Sequence, residues 1–128
     1  MQKKLELPKT ESTPLILIDE EKGYMRFEGE SYSENVISFY KVVTDWLSGY
    51  LESDFTKFTF DCALEYFNSS TSKLLYNMLT DMDDAASDGK DIVVNWYADK
   101  DNDIIIESGE DFEEDLENLK FNLITRVP

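Results

Sequence analysis

The stretch "EYFNSSTSKLL", residues 65–75, joins two kinds of secondary structure with no loop between them. Phe58, Phe60, Cys62, Leu64 and Tyr66 lead into it at the period of two that marks a strand with one buried face. Leu74 and Leu75 then open a helical pattern that Met78, Leu79, Met82, Ala85 and Ala86 continue on one face. Between the two patterns stand Asn68, Ser69, Ser70, Thr71 and Ser72, more small polar side chains than a helix cap requires. A strand running straight into a helix is the repeating unit of a parallel sheet. Such a junction lies at the carboxyl ends of the strands, the rim where these folds carry their sites.

The rest of the chain fits around this unit. Upstream, Val36, Phe39, Tyr40, Val43, Trp46, Leu47, Tyr50 and Leu51 form a wide apolar stripe on a helix opened by Ser33 or Glu34. Residues 15–19 and 24–28 read as a hairpin turned at Gly23, with a break expected at residues 29–31. Downstream, Asp88 and Gly89 end the second helix. Residues 91–97 are apolar on both parities, which predicts a central strand covered on both faces. Residues 104–106 suit a short strand or the entry to a third helix over 110–119, and residues 121–127 suit a last strand. The expected order is β-β-α-β-α-β-α-β, a mixed sheet with an N-terminal hairpin and helices packed on it. Residues 1–14 read as a flexible N-terminal arm and residues 15–128 as a single domain, as a chain of 128 residues suggests.

Composition narrows the function. The chain holds 28 acids and 12 bases, and fifteen of the acids face only Lys90 and Lys100 between residues 81 and 117. Such a surface repels nucleic acid and anionic membranes and favours basic protein partners. No apolar run is long enough to span a bilayer, which points to a cytoplasmic protein. There is no histidine, so the usual general base and commonest metal ligand are missing, and no glycine-rich phosphate loop is present. The single cysteine, Cys62, falls on the core parity of its strand and reads as an inert buried thiol. Trp46 and Trp96 fall in apolar patterns and read as core. Asp99, Asp101, Asp103, Glu107 and Glu110 match an EF-hand register, but Ile104 stands where that loop needs glycine. No metal and no cofactor are expected.

The hydroxyl cluster carries the remaining chemistry. The first turn of a helix presents unbonded N–H groups and the positive end of the dipole, so a phosphate on a serine there is stabilised. Lys73 lies four residues beyond Ser69 and could pair with it. The residues alone leave two readings open: Asn68 or Ser69 caps the helix and the other hydroxyls are merely solvated, or the cluster holds a modification switch.

Four segments, "GESYSENVISFYKVVTDWLSGYL", "EYFNSSTSKLL", "GKDIVVNWYADKDND" and "GEDFEEDLENLKFNLI", resemble the SiaC family of bacterial regulatory phosphoproteins across nearly the whole chain. The resemblance implies a fold similar to the anti-sigma-factor antagonist, or STAS-like, domains and a role in partner switching rather than catalysis. It implies phosphorylation by a cognate serine/threonine kinase and removal of the phosphate by a metal-dependent phosphatase. It further implies that the unmodified form binds a diguanylate cyclase, with cyclic di-GMP and biofilm behaviour as the output. The family's acceptor is the hydroxyl residue after the junction asparagine, which is Ser69 here, with Ser70 and then Thr71 ranked behind it. Asn68, Ser72 and Lys73 would support that site and form the partner surface. Two other readings compete: a passive acidic interaction module indifferent to phosphorylation, and a divalent-metal enzyme using clustered carboxylates such as Asp101 and Asp103.

Overall fold

The computed structural model describes residues 4–127, so the first three residues of the expected arm and residue 128 lie outside the described residues. Six strands form one sheet in the order β1-β2-β3-β4-β5-β6: Lys4–Leu7, Leu15–Asp19, Tyr24–Ser31, Lys57–Phe67, Asp91–Asp99 and Lys120–Arg126. The first three are antiparallel neighbours, and β3 to β6 are parallel. The three parallel steps are made by helices α1 (Val36–Leu51), α2 (Ser69–Ser87) and α3 (Asp103–Asp115). The mixed α/β architecture expected from the sequence is the one present, with one strand more. That strand is β1, where an irregular arm was expected: Leu5 and Leu7 pack against the core beside β2, and Thr13 and Pro14 are buried.

Each parallel strand is added on the same side of its predecessor, so right-handed crossovers deliver all three helices to one face of the sheet. The buried residues agree with this. Phe27, Phe58, Phe60, Cys62, Val94 and Trp96 point at the helices, whose inner faces supply Tyr40, Val43, Leu47, Leu75, Leu79 and Met82. Strand β5 is therefore covered on one face, not on both as its composition suggested. Its second parity, Val93, Asn95 and Tyr97, is half-buried on an open face stitched by polar groups. Asp61 accepts from Tyr24 Oη at 2.7 Å and from Asn95 Nδ2 at 2.9 Å, and Asn95 Oδ1 accepts from Asn122 Nδ2 at 3.0 Å. Arg26 and Arg126 lie over the ring of Tyr97 at 5.8 and 5.4 Å. Apolar mass on β5 is thus partly roofed by cations rather than by helices.

Two further departures are informative. Residues 29–31 do not break the strand. Strand β3 continues to Ser31, with Gly29 at φ 117°, and the pairing with β4 shifts there from Gly29–Leu64 to Glu30–Tyr66. Glu65 is thereby an extra residue on β4, a bulge that reverses the parity of the last two residues of the strand. Tyr66, expected on the core side, is 47% exposed, and Phe67 turns in to meet Trp96 edge-on at 6.0 Å. Of the two roles open to residues 104–106 the structure has the second: they enter α3, which Asn102 caps by accepting from Ile105 N and which ends at Asp115 rather than at 119. Helical geometry also dissolves the calcium register, since Asp103, Glu107 and Glu110 all fall on α3. Among the described residues no three acidic or sulfur side chains converge to hold a metal ion.

Helix α3 sits close to the sheet because Gly109 has no side chain. A Cβ there would lie 2.5 Å from Trp96 Cδ1, and Trp96 Nε1 donates to Ile105 O at 2.9 Å. Replacing Gly109 with alanine should displace α3 and cost about 1–3 kcal/mol of unfolding free energy in denaturant titration.

On α2, Asp83 accepts from the backbone N–H groups of Leu119 and Asn118 at 3.0 and 2.8 Å, tying the turn before β6 to the helix layer. Desolvation alone would raise its pKa, but the donors from Leu119, Asn118 and Glu117 together hold it below the usual carboxylate value. A depressed folded pKa means that the contribution is complete above the unfolded value of about 4 and is lost as pH falls through the folded one. Asp83→Asn should therefore lower the denaturant midpoint near neutral pH, with the gap to the wild type narrowing on acidification below about pH 4. A constant gap would disprove this account.

Candidate functional site

The junction between β4 and α2 divides its polar side chains by depth. Asn68 is extended and caps the helix, its Oδ1 accepting from Thr71 N at 2.9 Å. Its own N–H donates to Ser31 O at 3.1 Å, which holds the cap against the end of β3. The first intrahelical bond runs from Ser72 N to Asn68 O, so the amides of Ser69 and Ser70 precede the helical ladder and point out of its end. Ser69, Ser70 and Lys73 are exposed and Ser72 is half-buried.

Thr71 is different. It is fully buried, and its hydroxyl donates to Ser31 O at 3.1 Å. Having given its hydrogen there, Thr71 Oγ1 accepts from Ser31 Oγ at 2.9 Å, and Ser31 Oγ in turn accepts from Tyr40 Oη, also at 2.9 Å. The three hydroxyls form a closed relay in which each donates once. Burial raises the pKa of the Tyr40 phenol, which keeps its proton and remains the donor. Thr71 is accordingly corrected from a third-ranked acceptor to an internal anchor: its oxygen is sealed from any incoming enzyme and already engaged. Sequence reasoning missed Ser31 and Tyr40, since nothing local marks a strand-end serine and a helix tyrosine as partners of a residue so distant in the chain.

Ser69 and Ser70 line different grooves beside α2. Ser69 lines a shallow groove between α2 and α3, with Phe67, Tyr76, Ile104 and Phe112. Ile104 and Tyr76 are 71% and 42% exposed, an apolar patch beside the hydroxyl. Ser70 lines the groove between α1 and α2, and Lys73 reaches both. Cys62, the one potential nucleophile of its kind, is buried under α1 and α2, and desolvation pushes its thiol up to about 12, so it carries no thiolate at neutral pH.

Comparison with known proteins bears on this junction directly, because the model of the family described as SiaC family regulatory phosphoprotein matches residues 7–126. The chain belongs to the SiaC family. SiaC of Pseudomonas aeruginosa superposes with a TM-score of 0.90 at 28% identity, over 98% of this chain and 100% of that one. A chain of the crystal structure of the diguanylate cyclase SiaD in complex with its activator SiaC, from the same bacterium, matches at a TM-score of 0.90 and 30% identity, over 95% and 99% of the two chains. An uncharacterized protein of P. aeruginosa strain UCBPP-PA14 is 32% identical over 111 residues, covering 87% of this chain and 88% of the relative. The residues matched by the family model include the whole segment from Ser31 to Lys73, which holds the relay, the cap and the exposed serines.

The relay sets an expectation for mutagenesis. Thr71→Val keeps the shape but strands the Ser31 hydroxyl, and should cost about 1–3 kcal/mol in urea unfolding. Ser70→Ala, at an exposed position, should stay within about 0.5 kcal/mol of the wild type. Equal stability of the Thr71→Val variant would remove the anchoring role.

Proposed function

We propose that this chain is a non-catalytic, cytoplasmic partner-switching regulator controlled by reversible phosphorylation of Ser69. In the unmodified state it docks an output protein, and the SiaD complex of its relative supports a diguanylate cyclase in that role. A serine/threonine kinase adds the phosphate and a metal-dependent phosphatase removes it, linking the balance of the two to cyclic di-GMP and biofilm behaviour. The observation that carries this reading is the position of Ser69: an exposed hydroxyl at the first position of α2, beside an exposed apolar patch, on a helix start that is itself rigidly anchored.

That position dictates the physics of the switch. A neutral hydroxyl next to Ile104 and Tyr76 can be covered by a partner at little cost, because it needs one hydrogen bond at most. A phosphate brings about two negative charges, and covering them without new basic groups costs several kcal/mol. In the free protein the same phosphate is well accommodated: the Ser69 and Ser70 amides and the helix dipole face it, and Lys73 lies one turn on. Modification therefore stabilises the free form and penalises the complex, with no change of fold. Asn68 and Ser72 flank the acceptor, Asn68 through its cap.

The test uses a serine/threonine kinase that modifies this chain and the diguanylate cyclase that this reading gives it as partner. Intact-mass measurement after incubation with kinase and ATP should show one phosphate, and fragmentation should place it on Ser69. Ser69→Ala should bind the cyclase irrespective of kinase, and Ser69→Glu should weaken binding by about two orders of magnitude. Phosphate mapped elsewhere, or both variants binding like the wild type, would overturn the assignment.

A further inference from the structure

Helices α1 and α2 both return antiparallel to the strands, so they lie side by side in the same direction, and the outward side of their seam is open. It forms a groove of ≈ 750 Å³. Its floor is apolar: Val36 and Leu47 from α1, Leu74 and Met78 from α2. Ile37 stands at its wall, 78% exposed, although an isoleucine gains nothing from water. On α2 the lining residues run from Ser70 to Asp81 at steps of three and four, a straight stripe about 16 Å long. Two parallel helical walls of that length match a third helix of about three turns, whose side chains would seat as ridges in the groove.

The charge around the groove defines the occupant further. Glu34 stands where both helices begin, and Asp81 stands at the far end. Among the described residues neither carboxylate has an ion-pair partner. Desolvation, and then the neighbouring charge of Asp84, hold the Asp81 carboxyl above the usual carboxylate value, so a cation brought alongside would be favoured. Lys73, at the Glu34 end, is the one basic side chain that lines the groove. The whole chain has a formal charge of −16. We infer that the α1–α2 groove is a docking site for an amphipathic helix of a protein partner, with its apolar face on Ile37 and Leu74 above a floor closed by the buried Val36, Leu47 and Met78, and basic flanks against Glu34 and Asp81.

This inference rests on the partner-switching reading for the existence of a partner, but not on which serine is modified. It also separates two functions that sequence proximity merges. Ser69 opens onto the α2–α3 groove, and the helix seat is the other groove beside α2, where Ser70 is found. A partner gripping the α1–α2 groove would reach the switch only by extending across the start of α2.

The experiment uses the full chain, unmodified and ¹⁵N-labelled, titrated with two synthetic amphipathic peptides of about 18 residues. They share one leucine and isoleucine face; one is flanked by lysines, the other by glutamates. The lysine peptide should bind and shift amides in residues 34–47 and 70–81, and the glutamate peptide should not bind. Asp81→Lys and Ile37→Lys should each weaken the lysine peptide by about fivefold or more. Glu6→Lys, the same reversal on the sheet side, should change it by less than about twofold. Equal binding of both peptides, no binding at millimolar concentration, shifts centred on the α2–α3 groove or the open sheet face, or an Asp81→Lys effect no larger than that of Glu6→Lys would each overturn the assignment. The titration contains neither kinase nor cyclase. Its failure would leave the Ser69 switch standing, and a Ser69 that is never phosphorylated would leave its success intact.

Discussion

Three buried hydroxyls, on Ser31, Tyr40 and Thr71, hold together the part of the molecule on which everything else bears. They come from the end of β3, the first half of α1 and the first turn of α2, so a single relay fixes a strand and two helices relative to one another. Hydrogen bonds of this kind add only modestly to net stability, but a buried hydroxyl left without a partner is costly. The arrangement therefore acts chiefly by exclusion: any shift of the α2 start relative to the sheet would strand at least one of the three. A rigid first turn is what allows Ser69 and Ser70 to be exposed and yet fixed in direction, each toward its own groove.

The one-sided sheet distributes the charge. Five of the basic side chains, Lys4, Arg26, Lys57, Lys120 and Arg126, lie on strand positions, among them the two that cover Tyr97. Of the helices, α3 carries the acidic excess, with seven acids and no base, while α2 sets Asp81, Asp83 and Asp84 against Lys73 and α1 balances Asp45 with Lys41. The molecule thus presents a nearly balanced sheet and a helix layer that is strongly negative at α3. The α2–α3 groove, with Ser69 on its rim, borders that negative helix. Long-range attraction of a basic partner is therefore biased toward the face that can use it.

Much of this was legible in the sequence. The helical stripes of α1 and α2, the hairpin at Gly23, the stop at Gly89 and the burial of Cys62 all arise from local periodicity and turn chemistry. The cap at Asn68 is equally a matter of local chemistry. What escaped was whatever depends on pairing between distant segments. Strand β1 is four residues of ordinary polarity that become a strand only because β2 offers an edge. The two-parity apolar pattern of β5 suggested cover on both faces, because composition cannot tell a roof of arginines from a roof of helices. Thr71 looked like its neighbours because nothing adjacent to it announces that Ser31 will accept its hydrogen. The EF-hand register had the opposite fault, a local pattern with no three-dimensional counterpart.

The bulge at Glu65 has a consequence for how this junction can vary. It is the single residue by which β4 outruns β3, and Asn102 Nδ2 fastens its carbonyl at 3.0 Å. Pairing the same residues without the bulge would set Glu65 opposite Glu30 and Tyr66 opposite Ser31, and send Phe67 outward, away from Trp96. The polar run behind it would rotate with it, so the side chain at the anchoring position would no longer be the one able to engage Ser31. Substitutions at the exposed serines leave this frame untouched, whereas a slip of one residue in the pairing of β3 with β4 does not.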